Sequence, residues 1–193
     1  YCQSIVVTKL AVPQIAVRYG KFVNATVQDG YAEYNVEVFD QTDRKISSYR
    51  SYNIETLGGT SYLKYVVSAK AMAAADTLYV NSDLSQSLTA IQLPQIRSND
   101  IKIENGLLKY ATNTYAELTE GFKFNLEISK SDGSLQTLVH DPLVRQYDLS
   151  NYVAEQYSCT ISAVANYNQN GESLVEVPHL NSQATTTSFK VLA

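Results

Sequence analysis

Tryptophan is absent from this chain, methionine occurs once, and only two cysteines and two histidines are present. Two cysteines cannot build the disulfide framework that staples small secreted domains. Cys2 precedes the repeated part of the chain and Cys159 falls on an inward position, so the two are not expected to pair. Two isolated histidines, His140 and His179, offer no ligand cluster for a metal, and Asp40-x-x-Asp43 lacks the ladder of oxygens that a calcium loop supplies. No metal and no cofactor are expected. Charge is sparse, at 18% of residues, and 15 Lys and Arg stand against 19 Asp and Glu for a net charge of -4. The basic residues are scattered singly, which argues against nucleic acid and against anionic membranes, both of which need clustered cations. No apolar run approaches the ~18–20 residues that span a bilayer, and no charged-then-apolar leader opens the chain. The chain reads as soluble, with Tyr1 as a processed or chosen boundary.

What is present is a repeat. Val12-Pro13-Gln14-Ile15 returns as Leu93-Pro94-Gln95-Ile96, and Tyr34-Asn35-Val36-Glu37-Val38 as Phe124-Asn125-Leu126-Glu127-Ile128. Tyr65-Val66-Val67-Ser68-Ala69-Lys70-Ala71 returns as Tyr157-Ser158-Cys159-Thr160-Ile161-Ser162-Ala163, in the same order. Two copies of one unit point to an array of modules rather than one large enzyme domain. The expected units are residues 11–93 and 94–193. Gln3 to Leu10 resembles Gln86 to Leu93, so residues 1–10 are either the last strand of a preceding unit or an extra edge strand of the first. The step between units, Ala90 to Ile96, contains no Gly or Ser and one proline, which predicts a stiff, rod-like connection in which Pro94 helps to end sheet pairing.

Within each unit the pattern is that of strands. Tyr34, Val36 and Val38 alternate with polar residues, as do Phe124, Leu126 and Ile128, and Tyr157, Cys159, Ile161 and Ala163. Turn pairs separate the runs at Asp29-Gly30, Gly58-Gly59, Asn105-Gly106, Asp132-Gly133 and Asn170-Gly171. The alanine-rich stretch from Tyr65 to Ala75 is read as strand, because its counterpart Cys159, Thr160, Ile161 and Val164 favours extended backbone. The prediction is an all-β chain of two tandem antiparallel sandwiches with about seven strands each.

Leu57 precedes Tyr65 by eight residues and Leu149 precedes Tyr157 by the same interval. That spacing resembles fibronectin type III domains and related immunoglobulin-like sandwiches of modular bacterial surface or secreted proteins. In those folds a Tyr at that corner packs inward and hydrogen-bonds the preceding backbone. Leu149…Tyr157-x-Cys159-x-Ile161-x-Ala163…Asn166…Gly171-Glu172-Ser173 is similar to the last strands of that family, and Val27-Gln28-Asp29-Gly30 before Tyr34-x-Val36-x-Val38 to its second and third. The family places a Trp on the second strand, where this chain has Asn24 and Tyr110; Tyr110 has the volume for that place and Asn24 does not.

The chemistry-bearing residues are few. His140-Asp141 is the one adjacent imidazole–carboxylate pair, and without a nucleophile or a second carboxylate it reads as an exposed loop pair rather than a general base. Cys159 reads as a small core hydrophobe, Cys2 as structural or incidental, and Asn24-Ala25-Thr26 as an unmodified acceptor triplet inside a strand. Fifteen tyrosines invite a binding surface, and Tyr49, Tyr52, Tyr79, Tyr115, Tyr152 and Tyr167 lie outside the alternating core set. The polar connection from Tyr167 to Gln183 exceeds hairpin length, a mark of a functional or a mobile loop. No catalytic, cofactor or metal residue is assigned. The expectation is a non-enzymatic structural or adhesive module of a larger surface, secreted or virion protein, extracellular in location. Its partners would be neighbouring domains and a protein or carbohydrate ligand. The alternative is a carbohydrate-binding accessory module of a polysaccharide-degrading enzyme or adhesin.

Overall fold

The computed structural model describes residues 5–24, 30–40, 42–51, 63–75, 77–116 and 118–192, with backbone alone at 24 and 63–69. Apart from one 3-10 turn at Ser98–Asp100, the regular structure of these residues is strand. In the first half the strands are β1 (Thr8–Lys9), β2 (Ile15–Arg18), β3 (Lys21–Asn24), β4 (Tyr31–Phe39), β5 (Lys45–Ser51), β6 (Leu63–Ala73), β7 (Tyr79–Val80) and β8 (Leu88–Gln92). The second half follows with β9 (Lys102–Glu104), β10 (Leu107–Lys109), β11 (Phe122–Lys130), β12 (Leu135–His140), β13 (Gln146–Asp148), β14 (Gln156–Ala165), β15 (His179–Leu180) and β16 (Thr185–Lys190). The strand reading of the alanine-rich stretch holds: β6 runs to Ala73.

Alternation decides which faces meet. Tyr34, Val36 and Val38 of β4 are buried, and so are Phe122, Phe124, Leu126 and Ile128 of β11, each with partly exposed neighbours between them. In the second half a three-stranded sheet, β13-β10-β9, faces a four-stranded one, β12-β11-β14-β16. Leu108 of β10 and Tyr147 of β13 join residues of β11 and β14 in one cluster. Four aromatic rings stand in for the missing tryptophan: Tyr110 lies edge-on to Phe124 at 5.5 Å, and Tyr115 meets Phe122 at 5.1 Å and Phe124 at 5.2 Å. Each such pair adds about 0.5–1.5 kcal/mol to the area it buries. A second cluster gathers Leu10, Val17, Phe22, Tyr34, Val36, Val38, Ala71 and Ala90 of the first half around the sheet β15-β8-β6-β4-β5.

The segments that match in sequence pair in the same register. Tyr34 stands opposite Ala71 and Val36 opposite Ala69, as Phe124 stands opposite Ala163 and Leu126 opposite Ile161. The corner tyrosine behaves as the family resemblance implies in the second half, where buried Tyr157 donates its hydroxyl to the Val153 carbonyl at 3.1 Å. Leu57 and the Tyr65 side chain, its first-half counterparts, lie outside the described residues, as do Cys2, Ala25-Thr26, Gly58-Gly59, Tyr52 and the Asn24 side chain.

A finer correspondence has no counterpart in the strand pattern. Ser82 and Ala71 exchange two bonds, N–H to carbonyl at 3.0 Å and Ala71 N–H to Ser82 Oγ at 2.8 Å. Ser182 and Ala163 do the same at 2.9 and 2.8 Å. Asn81 Oδ1 accepts from the Ala73 N–H, and Asn181 Oδ1 from the Ala165 N–H. Beneath each Asn-Ser pair a glycine accepts a ring: a Cβ on Gly30 would lie 2.2 Å from Tyr79, and one on Gly121 2.4 Å from His179. These side chains satisfy backbone donors at the end of β6 and β14, where an unmet buried N–H costs about 1–3 kcal/mol.

Candidate functional site

The most elaborate arrangement in the molecule is where the two halves meet. Strand β8 is bonded on both edges at its last two residues: Leu63 and Lys64 of β6 lie antiparallel on one side, and His179 and Leu180 of β15 lie parallel on the other. The sequence predicted that Pro94 would help end pairing between the halves. Instead the ladder crosses, because the proline falls two residues beyond the last paired position. It leaves its own carbonyl to the Tyr115 hydroxyl. Gln92, buried in this crossing, donates Nε2 to the carbonyls of Leu93 at 2.9 Å and Asn181 at 3.0 Å. Leu180 is fully buried, and it is buried in the first half's cluster.

A turn and a loop complete the contact. Tyr19-Gly20, between β2 and β3, has φ of 52° and 68°, the left-handed pair of a tight hairpin. Tyr19 N–H donates to the Gly171 carbonyl at 2.8 Å, and its hydroxyl to the Gln169 carbonyl at 3.2 Å. Asn181 N–H donates to the Gly20 carbonyl at 2.8 Å and Asn181 Nδ2 to the Tyr19 carbonyl at 2.9 Å. The Tyr19 and Tyr167 rings meet edge-on at 5.1 Å, and Arg18 lies 3.4 Å from Glu172. Two glycines make the approach possible: a Cβ on Gly171 would lie 2.6 Å from the Tyr19 ring, and one on Gly20 2.0 Å from Asn181 Oδ1. The loop is braced from within by Asn168, whose Oδ1 accepts the N–H groups of Asn170 and Glu172. Four intramolecular hydrogen bonds at about 0.5–1.5 kcal/mol each, with the ring pair, hold the joint by a few kcal/mol. The exposed Arg18–Glu172 pair adds little.

The structure thus gives the polar connection from Tyr167 to Gln183 a definite place: it is folded against the first half. Other candidates are structural. His140, expected in an exposed loop, closes β12 half-buried; its Nδ1 pairs with the buried Tyr110 hydroxyl and its ring lies 5.9 Å from that of Tyr147. Burial pushes its pKa down while Asp141 pulls it up. No nucleophile faces it among the described contacts. Tyr115, placed outside the core by its sequence, is fully buried. Tyr49 and Tyr79 pack half-buried on the first cluster, and Tyr152 packs between Tyr147 and Tyr157. Cys159 is buried as expected, a free thiol pushed up to about 11 by desolvation. Asp40 closes a turn by accepting from Thr42 and Arg44, and the Thr42 hydroxyl first of all holds its carboxyl down to about 2. His179 is buried with Nδ1 unpartnered, its pKa lowered by desolvation against the pull of Glu120. Among the described residues no three of His, Cys, Asp and Glu come together as a metal site.

Beside the joint, an open groove of about 560 Å³ crosses the outer face of β12, β11 and β14. Val139, Val164 and Leu174 supply apolar surface, and Lys123, Asn125 and Tyr167 supply polar groups. It is within the size of small-ligand sites and mixes surface types as they do.

Sequence reasoning missed Tyr19-Gly20 and the Asn-Ser pairs. The signal for the latter was available: Val80-Asn81-Ser82 returns as Leu180-Asn181-Ser182.

No protein-family model matches the chain, and no curated protein matches it. Among solved structures the chain is similar to the fibronectin(III)-like modules of Clostridium thermocellum CbhA, at 11% identity and a TM-score of 0.29, over 97% of this chain and 90% of that one. At that score the likeness carries no further argument, and the fold reading rests on the strand pairing and cores described above.

Proposed function

We propose that the chain is a non-enzymatic spacer: two sandwich domains, residues 11–93 and 94–193, set end to end by a fixed joint within a larger surface, secreted or virion protein. The observation that carries this reading is the loop from Tyr167 to Ser173 bonded to the Tyr19-Gly20 turn. A connecting strand alone constrains position. A second attachment, offset from it, also constrains bending and twist, and that is what a spacer requires of a joint. No cleft gathers a nucleophile, base and oxyanion donors among the described residues, so nothing in the chemistry favours a catalytic reading.

Residual dipolar couplings measured on each half test the proposal. One shared alignment tensor is expected for the native chain and two separate tensors for Gly171→Val, whose new side chain would occupy the Tyr19 ring position. Two tensors in the native chain would refute a fixed joint.

Recognition of a saccharide by the groove at Lys123, Asn125 and Tyr167 is the second reading, favoured by its mixed lining. Binding on a glycan array that is lost in Lys123→Ala and Val139→Asp, with the joint unchanged, would establish it; silence across the array would remove it.

A further inference from the structure

We propose that this chain carries half of a second joint at each end. Ile5-Val6-Val7 is the closing strand of a preceding sandwich, and Leu192 is the first core residue of a following one. The inference rests on the spacer reading and extends it by naming the partner, a neighbouring sandwich of the same kind, on both sides.

The equivalence is fixed by bonds. Ile91 N–H donates to the Pro178 carbonyl at 2.9 Å and Leu93 N–H to the Leu180 carbonyl at 3.0 Å. Thr8 N–H donates to the Leu78 carbonyl at 2.8 Å and Leu10 N–H to the Val80 carbonyl at 3.0 Å. Thr8 to Leu10 therefore does for β7 what Ile91 to Leu93 does for β15, with Thr8 opposite Tyr79 as Ile91 is opposite His179. The three residues before Ile91, Leu88-Thr89-Ala90, close the first half's sheet against β6. Their equivalents are Ile5-Val6-Val7, and these are 75%, 74% and 52% exposed. Three successive β-branched apolar residues in a row gain nothing from water; they have the composition of a strand covered on at least one face.

The surface beside them agrees. Leu180 is fully buried under the first half, whereas its equivalent Val80 is 45% exposed and Leu78, two residues before it, 60%. The positions that a preceding unit covers at the middle joint are uncovered and apolar at the first half's own pole.

The far end repeats the pattern. Val191 N–H donates to the Glu155 carbonyl, two residues before Tyr157, and so takes the place of Gln92, which pairs with Leu63, two residues before Tyr65. Leu192 then corresponds to Leu93 and Leu10. Those two are buried to 0% and 3% exposure, and Leu192 is 76% exposed. The same residue type recurs at one place in the frame, buried at Leu10 and Leu93 and exposed at Leu192. On the same pole, the Asn105-Gly106 turn repeats the left-handed pair of Tyr19-Gly20 with φ of 53° and 75°. A Cβ on Gly106 would meet nothing within 4 Å, whereas Gly20 is closed over by Asn181.

A concatenated chain tests this. Residue 192 is followed directly by residue 11 of a second copy, so that Val191-Leu192 replaces Lys9-Leu10. On a Cys2→Ser background, Leu192→Cys is labelled with a maleimide in the single chain and in the concatemer. Labelling slower by roughly 100-fold or more in the concatemer is expected, since the thiol must await local opening. In the same chain Leu192→Asp should lower the melting temperature of the second copy as much as Leu10→Asp lowers that of the single chain, while leaving the single chain unaffected. Equal labelling in both chains, or an unchanged melting temperature of the second copy in the Leu192→Asp concatemer, overturns the inference. Concentration-dependent self-association of the single chain that disappears on deleting residues 1–7 also overturns it, in favour of strand exchange between copies. The spacer reading is judged separately, by the alignment of the two halves within the single chain.

Discussion

From the end of β6 to the start of β7 the first half takes five residues, 74–78; from the end of β14 to the start of β15 the second half takes thirteen, 166–178. Everything around this difference is shared: the Asn-Ser pair, the alanines it bonds, and the glycine beneath the ring at 79 or 179. The extra residues do not alter the frame. They form the hairpin around Asn168 that reaches the Tyr19-Gly20 turn. The comparison teaches that the frame is common to both halves, while the contact with the Tyr19-Gly20 turn is built from the insertion together with Asn181 of the frame.

The largest effect should come from the part of the comparison in which the halves differ in core composition. Phe124→Ala removes a ring that touches Tyr110, Tyr115 and Phe122, and should cost about 3–5 kcal/mol of the second half's stability in denaturant unfolding. Val36→Ala, at the equivalent of Leu126 on β4, should cost less, about 2 kcal/mol, and only in the first half.

Next are the shared anchors. Asn81→Ala and Asn181→Ala each strand a backbone N–H and should each cost about 1–3 kcal/mol. Only Asn181→Ala should also free the joint, because Asn181 alone bonds the Tyr19 carbonyl. Equal alignment behaviour in the two variants would break the distinction between frame and joint.

Mild acid, above the carboxylate range, should act on the second half more than on the first. His179 and its equivalent Tyr79 occupy one place in the frame, but only the imidazole titrates near neutrality. Burial depresses the folded pKa of His179 below its ordinary 6.5, so the unfolded chain takes up the proton first. Stability supplied by the neutral ring is complete above 6.5 and is lost as pH falls toward the depressed folded value. His140 shifts the same way through burial. His179→Gln should therefore flatten the acid limb of the second half's stability profile in part, and the first half's should not move. A stability change no larger than that of the anchors is expected from cutting the 166–178 connection to the length of 74–78, which removes two joint hydrogen bonds and the Tyr167 ring while the halves reorient.

Much of the fold was legible, and for physical reasons. Strands β4, β11 and β14 each bury one face, so alternation at Tyr34, Val36 and Val38, or at Tyr157, Cys159 and Ile161, reports them directly. Tyr115 was misplaced because it lies in a turn segment between β10 and β11, where side-chain direction has no period to read. His140 ends a strand whose partner, Tyr110, lies thirty residues away, and no local pattern encodes that contact. The joint was only half legible. The length of the 167–183 connection marked it as unusual, but its target lies about 150 residues earlier in the chain. The turn there uses Tyr19 in a left-handed conformation where Asn or Asp is the usual signal. The Asn-Ser pairs escaped because the insertion changes their distance from β6 and β14, which hides them from any comparison at fixed spacing.

Spin labels at Ser47→Cys and Thr137→Cys, on exposed strands of opposite halves in a Cys2→Ser background, measure the central claim directly by double electron–electron resonance. A single narrow distance in the native chain, broadening when the 166–178 connection is shortened to five residues, is the predicted result. A native distribution already as broad as that of the shortened chain would contradict a joint fixed by this loop.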